Sequence, residues 1–235
     1  MKLTVLGKFG PYPQPGGCCS GYLIEDGNTT IALELGCGAM SRLLQYKSLG
    51  EIDALVLSHW HYDHCGDVPI LQYALEQGQR ENSLPLYAPE EGLLLNNKVF
   101  ERNALIHGEK FTVGALQITV FGVQHSVCGF GILCEDSQGK KLFYTGDTRY
   151  FKDLADYGAG VNVLLADTCL LSDPESGVIK FHLTAAEAGR LARESGVNQL
   201  LCTHIWGGGC NEQELLARTG FSKAAVVQEH MTYLI

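Results

Sequence analysis

Positive charge and long apolar runs are both scarce in this sequence. Lysine and arginine number 17 against 26 aspartates and glutamates, and the formal net charge of −9 disfavours non-specific binding to phosphate backbones. No uninterrupted apolar stretch reaches the roughly 18 residues that indicate a membrane span. The first residues, Met-Lys-Leu-Thr-Val-Leu-Gly, lack the apolar core of a secretory signal. We therefore expect a cytoplasmic protein without a membrane-spanning segment.

Paired CxxC motifs are also lacking. The 9 cysteines are scattered, apart from the adjacent Cys18 and Cys19. Because no secretory signal is evident, we expect reduced and mostly buried thiols rather than a disulfide framework. A structural metal site that draws on Cys18, Cys19 or Cys210 stays open as an alternative, without the spacing that would favour it.

The composition is otherwise that of an ordinary globular enzyme, with 46% hydrophobic and 18% charged residues. A chain of 235 residues can bury a full core as one domain and could hold two at most. No repeat, low-complexity tract or charged linker divides it. We therefore predict a single domain over residues 1–235.

Apolar periodicity and turn residues predict alternating strands and helices. The predicted strands cover residues 3–6, 21–25, 30–34, 53–57, 111–113, 116–123, 130–135, 141–144, 161–166 and 200–203. The predicted helices cover residues 38–46, 67–77, 184–195 and 212–217, and Thr184 with Glu187 fits a capping box at the third. Each half supplies a mixed sheet with helices, which favours an α/β protein with two sheets packed face to face and helices outside.

The densest chemical signal is the run His59-Trp-His61-Tyr-Asp63-His64, which directly follows an apolar segment. It places three of the 8 histidines of the chain and one carboxylate within six residues. Imidazole nitrogen and carboxylate oxygen are the ligands that zinc and similar divalent ions prefer. Scattered histidines are commonly packed or solvated residues, but a cluster of this density indicates a metal site.

Three later residues of ligand type, His125, Asp147 and His204, each follow an apolar, strand-like run. Taken singly, an aspartate after a glycine is commonly a turn residue, and a lone histidine is commonly structural. Strand ends bring side chains to one edge of a sheet, so these three and the first cluster together indicate one site with more than four ligands.

This ordered series resembles the ligand set of the metallo-β-lactamase superfamily, and the resemblance spans nearly the whole chain. It implies an αβ/βα sandwich, with two facing mixed β-sheets, helices outside, and the site at the sheet edges. It also implies two divalent metal ions, for which we expect zinc, with manganese or iron as alternatives. By this resemblance His59, His61 and His125 hold one metal, Asp63, His64 and His204 hold the other, and Asp147 bridges them.

Further motifs resemble one branch of that superfamily. The aspartate in Thr-Gly-Asp147-Thr differs from true β-lactamases, and His61 stands where the flavodiiron branch has glutamate. The segment Phe181-His182-Leu-Thr184 resembles the His-x-Thr element of the compact RNase Z-like, or phosphodiesterase, branch. In that branch the histidine lies beside the dinuclear centre and contacts an acid at a strand end, where this chain has Asp167. Read alone, His182 is also compatible with a surface residue ahead of a helix.

Two departures from the branch bear on function. The tRNA-processing enzymes carry a long inserted arm between the third and fourth motifs, whereas this chain has only a strand pair around residues 136–139. The missing arm and the acidic balance disfavour tRNA 3′-processing. Glu34 occupies the place where the family usually has an aspartate that supports the metal loop, so loop geometry or metal affinity is expected to differ.

The resemblance implies a hydrolase with a dinuclear metal centre and a bridging hydroxide, acting on a small or cyclic phosphodiester. Asp63 would ligate a metal and orient the nucleophile, while His182, held by Asp167, would stabilise charge or protonate the leaving alkoxide. A thioester or lactone hydrolase of the same superfamily is the main alternative. A non-catalytic metal-binding homologue, marked by the Glu34 departure, is the other.

Candidates for the rim of a substrate pocket are Trp60, Tyr62, Trp206 and residues 9–17. An aromatic side chain beside metal ligands could stack on a base or ribose. It is as readily explained by packing under a neighbouring loop. The expected partner is therefore a small phosphodiester, with no long tRNA-binding arm, and a homodimer stays open.

Overall fold

The structure, a computed structural model, describes residues 1–175, 178 and 180–235. Two seven-stranded sheets face each other. The strands of the first sheet are β1 (Lys2–Gly7), β3 (Gly21–Asp26), β4 (Thr29–Leu35), β5 (Ala54–Val56), β6 (Leu84–Ala88), β7 (Phe100–Ala104) and β16 (Thr232–Leu234). Those of the second sheet are β8 (Lys110–Val113), β9 (Leu116–Gly122), β10 (Phe130–Glu135), β11 (Lys141–Tyr144), β12 (Val163–Asp167), β13 (Gln199–Thr203) and β15 (Ala224–Val226).

Both sheets are mixed. The first runs in the order β16-β1-β3-β4-β5-β6-β7, antiparallel from β16 to β4 and parallel from β4 to β7. The second runs β15-β13-β12-β11-β10-β9-β8, parallel from β15 to β11 and antiparallel beyond. The carboxyl ends of parallel strands share an edge, and ligands of α/β sheets collect there.

Helices cover the outer face of each sheet. They are α1 (Ala39–Leu43), α2 (Tyr62–Cys65), α3 (Val68–Glu76), α4 (Leu154–Tyr157), α5 (Ala185–Glu194), α6 (Glu212–Thr219) and a 3₁₀ turn over Leu49–Glu51. A central core fills the space between the sheets, where the rings of Tyr22 and Tyr144 lie 5.6 Å apart. Two outer cores lie under the helices. The predicted α/β class and the two facing mixed sheets with outer helices are confirmed.

Local sequence signals predicted some helix boundaries more accurately than others. Thr184 accepts from the backbone N–H of Glu187 and its own N–H donates back to Glu187, so the capping box at α5 is confirmed. The helix predicted over residues 38–46 is shorter, because α1 ends at Leu43. Asp63 and His64 lie in the short helix α2, which was not among the predicted helices.

Four strands of the two seven-stranded sheets were not predicted. The segment Leu84–Ala88 contains Pro85, which argues against a strand in sequence, and Phe100–Ala104 is largely polar because it lies at the edge of the first sheet. Ala224–Val226 and Thr232–Leu234 are three residues each, too short for an alternating pattern. Among the described residues, no helix combines the length and apolarity needed to cross a membrane.

Candidate metal centre

The first four candidate ligands lie at the carboxyl end of β5. The strand ends at Val56, His59 and His61 lie in the following loop, and Asp63 and His64 are in α2. His61 has an extended backbone and stands at the N-cap position of this helix. The loop histidines and the helical pair therefore come from two consecutive backbone segments.

The later candidates reach the same edge from the second sheet. His125 follows β9, Asp147 follows β11, and Asp167 is the last residue of β12. His204 follows β13 and precedes β14 (Ile205–Trp206), which pairs with β2 (Phe9–Gly10). All seven predicted ligands are thus brought together between the sheet edges.

One group of donors consists of His59, His61, His125 and Asp147. Nδ1 of His61 lies 3.0 Å from Nε2 of His59 and 3.1 Å from Nε2 of His125. Oδ2 of Asp147 lies 3.8 Å from Nε2 of His59 and 3.9 Å from Nε2 of His125. Three ring nitrogens and one carboxylate oxygen therefore face a common point.

The second group consists of Asp63, His64, Asp147 and His204. Nε2 of His204 lies 3.0 Å from Oδ2 of Asp63 and 3.2 Å from Oδ2 of Asp147. Nε2 of His64 lies 3.6 Å and 3.3 Å from the same two oxygens. The oxygen Oδ2 of Asp147 thus belongs to both groups, the place that a bridging ligand would take.

These spacings fit divalent ions. Zinc–nitrogen bonds of about 2.0–2.1 Å in a tetrahedron separate neighbouring donors by roughly 3.3 Å, and the distances here run from 3.0 to 3.9 Å. Nε2 of His64 and Oδ1 of Asp147 are buried and make no hydrogen bond to the described residues. Buried polar atoms left in this way are costly unless a ligand satisfies them. The residues present therefore fit a pair of divalent cations.

The electrostatics of the centre also suit cations. Burial holds the pKa of His59 well below its usual range, and neighbouring imidazoles lower it further, which favours the neutral ligand form. Burial opposes charge on His64, but the carboxylates of Asp147 and Glu34 outweigh the effect of burial and raise the pKa of His64. Burial also opposes charge on Asp147, but His204 and His64 outweigh it and hold the pKa of Asp147 well below its usual range.

Neighbouring groups orient the ligand rings. Nδ1 of His125 donates to the carbonyl oxygen of Phe181 at 3.2 Å, which leaves Nε2 free for a metal. Nδ1 of His59 lies 2.9 Å from Oγ of Ser58. These contacts fix which nitrogen of each ring faces the centre.

Glu34 supports the first motif from behind. Its Oε1 accepts a hydrogen bond from the backbone N–H of Ser58 at 3.0 Å and lies 3.5 Å from Nδ1 of His64. The residue is fully buried and has φ of 59°, in the left-handed region that non-glycine residues seldom occupy. The longer glutamate side chain thus reaches both the loop and a ligand ring.

His204 is a second site residue in the left-handed region, with φ of 53°. Its ring is packed against Gly10, where a Cβ atom would lie 2.0 Å from Nε2 of His204. Glycine at position 10 is therefore required by the close approach of β2 to the ligand. No sequence pattern indicated this contact, because the two residues are far apart in the chain.

The predicted partners of the centre, His182 and Asp167, are in contact. Nδ1 of His182 donates to Oδ2 of Asp167 at 2.9 Å, and it lies 3.8 Å from Oδ2 of Asp147. Oδ1 of Asp167 accepts the backbone N–H of Cys169 and lies 3.6 Å from Nδ1 of His204. Burial disfavours charge on His182, but the Asp167 carboxylate outweighs it and raises the pKa of His182 to about 9.

The aromatic rim candidates differ in position. The indole N–H of Trp60 donates to the carbonyl oxygen of Pro89, and its ring packs against Gly92, so Trp60 packs under a neighbouring loop. Tyr62 is 75% exposed on the outside of α2. Trp206 is 43% exposed, and its ring contacts Tyr12 in the predicted 9–17 rim segment.

The alternative cysteine site finds no support in the described part of the chain. There, the groups of His, Cys, Asp and Glu close enough to share an ion do not include Cys18, Cys19 or Cys210. They do include Cys169, which the sequence reasoning missed and which lies with His182 and His204. The sequence signal that could have identified Cys169 is its position two residues after Asp167.

Comparisons with known proteins give a matching family model and several similar chains. The family model described as a beta-lactamase superfamily domain matches residues 37–205, more than half of the chain. The probable metallo-hydrolase YhfI of Bacillus subtilis (strain 168) is 29% identical over 214 residues, which cover 87% of each chain. The crystal structure of YhfI matches with a TM-score of 0.91 at 26% identity, over 99% of both chains.

Two ribonucleases are also similar. Ribonuclease Z of Methanopyrus kandleri is 25% identical over 248 residues, covering 87% of each chain. The short form of human tRNase Z has a TM-score of 0.78 at 18% identity, over 100% of this chain and 99% of that one, which shows a shared fold.

Proposed function

This chain belongs to the beta-lactamase superfamily, and we propose that it is a metal-dependent hydrolase that cleaves a small or cyclic phosphodiester at a dinuclear centre. The observation that carries the proposal is the position of one oxygen, Oδ2 of Asp147. It belongs to both donor groups and lies 3.8 Å from Nδ1 of His182. Two adjacent cation sites and a polarised imidazole suit the charge of a phosphodiester more closely than that of a neutral ester.

His59, His61 and His125 would hold one ion, Asp63, His64 and His204 the other, and Asp147 both. Divalent ions in such a site supply a Lewis acid and lower the pKa of bound water toward about 7. We propose zinc as the ion, with manganese or iron as alternatives, because three of the four donors in the first group are imidazole nitrogens.

Residues of the protein would orient the attacking water and protonate the leaving oxygen. Oδ2 of Asp63 lies 3.0 Å from Nε2 of His204, and we assign Asp63 the orientation of the attacking water. His182 is held in one orientation by Asp167, with Nε2 as its second ring nitrogen. We assign His182 the donation of a proton to the leaving oxygen, a role that commonly contributes about 10²–10⁴-fold to rate.

A small substrate is favoured over a structured RNA. β10 and β11 are joined by a tight turn at Asp136, where the backbone N–H groups of Gln138 and Lys140 donate to Oδ1. Nothing at this turn could extend over a folded nucleic acid, and the net charge of −9 offers little general attraction to one.

The proposal is tested with purified protein reconstituted with zinc or manganese and assayed on bis(p-nitrophenyl) phosphate, a cyclic nucleotide, a thioester and a lactone. We expect hydrolysis of the phosphodiesters. Fast turnover of the thioester or lactone with none of the phosphodiesters would replace this proposal by carbonyl-ester hydrolysis. Bound metal without turnover of any substrate would favour a non-catalytic homologue.

A further inference from the structure

A cavity of about 420 Å³ opens beside the metal centre, on the side of His182. Cys169 forms part of its wall, and the sulfur of that residue lies within 4.8 Å of ring nitrogens of both His182 and His204. Cys169 therefore borders both the cavity and the centre. Its volume falls in the range of pockets that hold small organic ligands.

The wall is largely apolar. Leu170 and Leu171 line one side, while Trp206 and Cys210 line another. The polar groups of the lining include Glu214, whose Oε1 accepts hydrogen bonds from Arg218. Asn211 is the other polar side chain of the lining, and the described lining includes no lysine, arginine or histidine to pair with a phosphate, so this wall is suited to an organic group instead.

Trp206 is fixed in place although its ring is partly open. Its strand β14 pairs with β2, so the backbone is held next to the ligand His204. The ring of Tyr12 meets the indole edge to face, with the two centroids 5.8 Å apart. A preset, partly exposed indole in an apolar wall is a surface on which a planar ring can stack.

A cavity of similar size, about 450 Å³, lies at the opposite end of the second sheet. Its lining includes Asn162 and Gln199, which stand at the start of β12 and β13. Asp167 and His204 stand at the other end of these strands. That cavity is too far from the centre to take part of a substrate bound there.

We infer that the cavity beside His182 receives the organic group of the substrate and that Trp206 selects an uncharged aromatic group. This inference rests on the proposed function, because the phosphate would be held at the metal centre. Stacking on Trp206 and contact with the two leucines would stabilise a planar ring, while the described lining includes no cationic side chain to pair with an anionic one. Trp206 is thereby a specificity-determining residue.

Binding of two phosphate monoesters to the zinc-loaded protein tests the inference. Phenyl phosphate and methyl phosphate present the same charged group and differ in the organic group, and calorimetry gives the Kd of each. We expect phenyl phosphate to bind about tenfold more tightly, the scale of one stacking contact. Trp206→Ala should remove most of this ratio, whereas Trp206→Phe should keep most of it.

Leu171→Asn, on the other side of the cavity, should also reduce the ratio, which guards against a local folding defect in the Trp206 variant. Tyr73→Ala removes an aromatic ring that is exposed on α3 and does not line the cavity, and should leave the ratio unchanged. Equal affinities for the two esters in the wild type would overturn the inference alone. Failure of both esters to bind would also overturn the inference, and the proposed function falls with it only where bis(p-nitrophenyl) phosphate is not hydrolysed either.

Discussion

The imidazole of His182 is held by the carboxylate of Asp167, with 2.9 Å between Nδ1 and Oδ2. This contact holds the ring near Asp147. His182 is not a member of the two donor groups that contain Asp147 together with residues of the first motif. A residue in this position can act on the substrate while the ions stay bound.

We predict that His182→Ala lowers kcat on bis(p-nitrophenyl) phosphate by about 10²–10⁴-fold, because the proton donor is lost. Bound zinc should stay at the wild-type level by elemental analysis. His107→Ala, which removes an exposed histidine next to Gly122, serves as the matched control and should change neither quantity. Wild-type turnover in His182→Ala would remove His182 from the mechanism.

The pKa of His182 should depend on Asp167. Burial alone would lower the pKa, whereas the carboxylate raises it to about 9, above the ordinary value of 6.5. In an NMR titration of metal-free protein, we expect His182 to titrate near the raised value. In Asp167→Asn it should titrate at a clearly lower pH, because burial remains without the main carboxylate that opposes it. An unchanged titration would contradict the assignment.

The same shift has a stability consequence with a definite sign. Because the folded-state pKa of His182 exceeds the unfolded value, its pairing with Asp167 stabilises the fold fully below pH 6.5. That contribution is lost as the pH rises through about 9. The free energy of unfolding of metal-free wild type should therefore exceed that of His182→Gln at pH 6 and approach it at pH 10, as measured by urea denaturation.

We predict that Glu34→Asp weakens metal binding at the group that contains His64. The shorter side chain would lose contact with the Ser58 N–H or with Nδ1 of His64, since one oxygen serves both. Loss of such a supporting partner typically costs about 10–100-fold in metal affinity. Competition with a chelator measures this, and wild-type affinity in Glu34→Asp would mean that the side-chain length has no role.

Gly10→Ala should displace the ring of His204, because the added Cβ would lie 2.0 Å from Nε2. We expect the variant to bind one equivalent of zinc less than the wild type under the same conditions. Gly50→Ala is the matched control, since the nearest atom to its added Cβ is 4.0 Å away. Full zinc occupancy in Gly10→Ala would show that the strand carrying residue 10 can shift without displacing the ring of His204.

The sequence predicted the site where residues of ligand type lie close together in the chain or directly follow a strand. His59, His61, Asp63 and His64 sit within six residues after an apolar strand, so their convergence could be read directly. His125, Asp147 and His204 each follow a strand, and sheet geometry carries strand ends to one edge. The paired sheets and outer helices followed from the alternation of elements.

Contacts between segments that are far apart in the chain could not be predicted from the sequence. Gly10 meets His204 only because β2 pairs with β14, and neither two-residue strand has a pattern of its own. The left-handed backbone of Glu34 has no signature in a residue type that seldom adopts it. Trp60 and Trp206 looked alike in sequence, yet tertiary packing buries one under a loop and leaves the other beside the centre.

The most direct test of the central claim follows hydrolysis of bis(p-nitrophenyl) phosphate as zinc is added stepwise to metal-free protein. The two donor groups share Oδ2 of Asp147, so we predict that activity appears mainly as the second equivalent binds and is absent at all zinc levels in Asp147→Asn. Full activity at one equivalent, or two bound equivalents with no phosphodiester hydrolysis, would contradict the account.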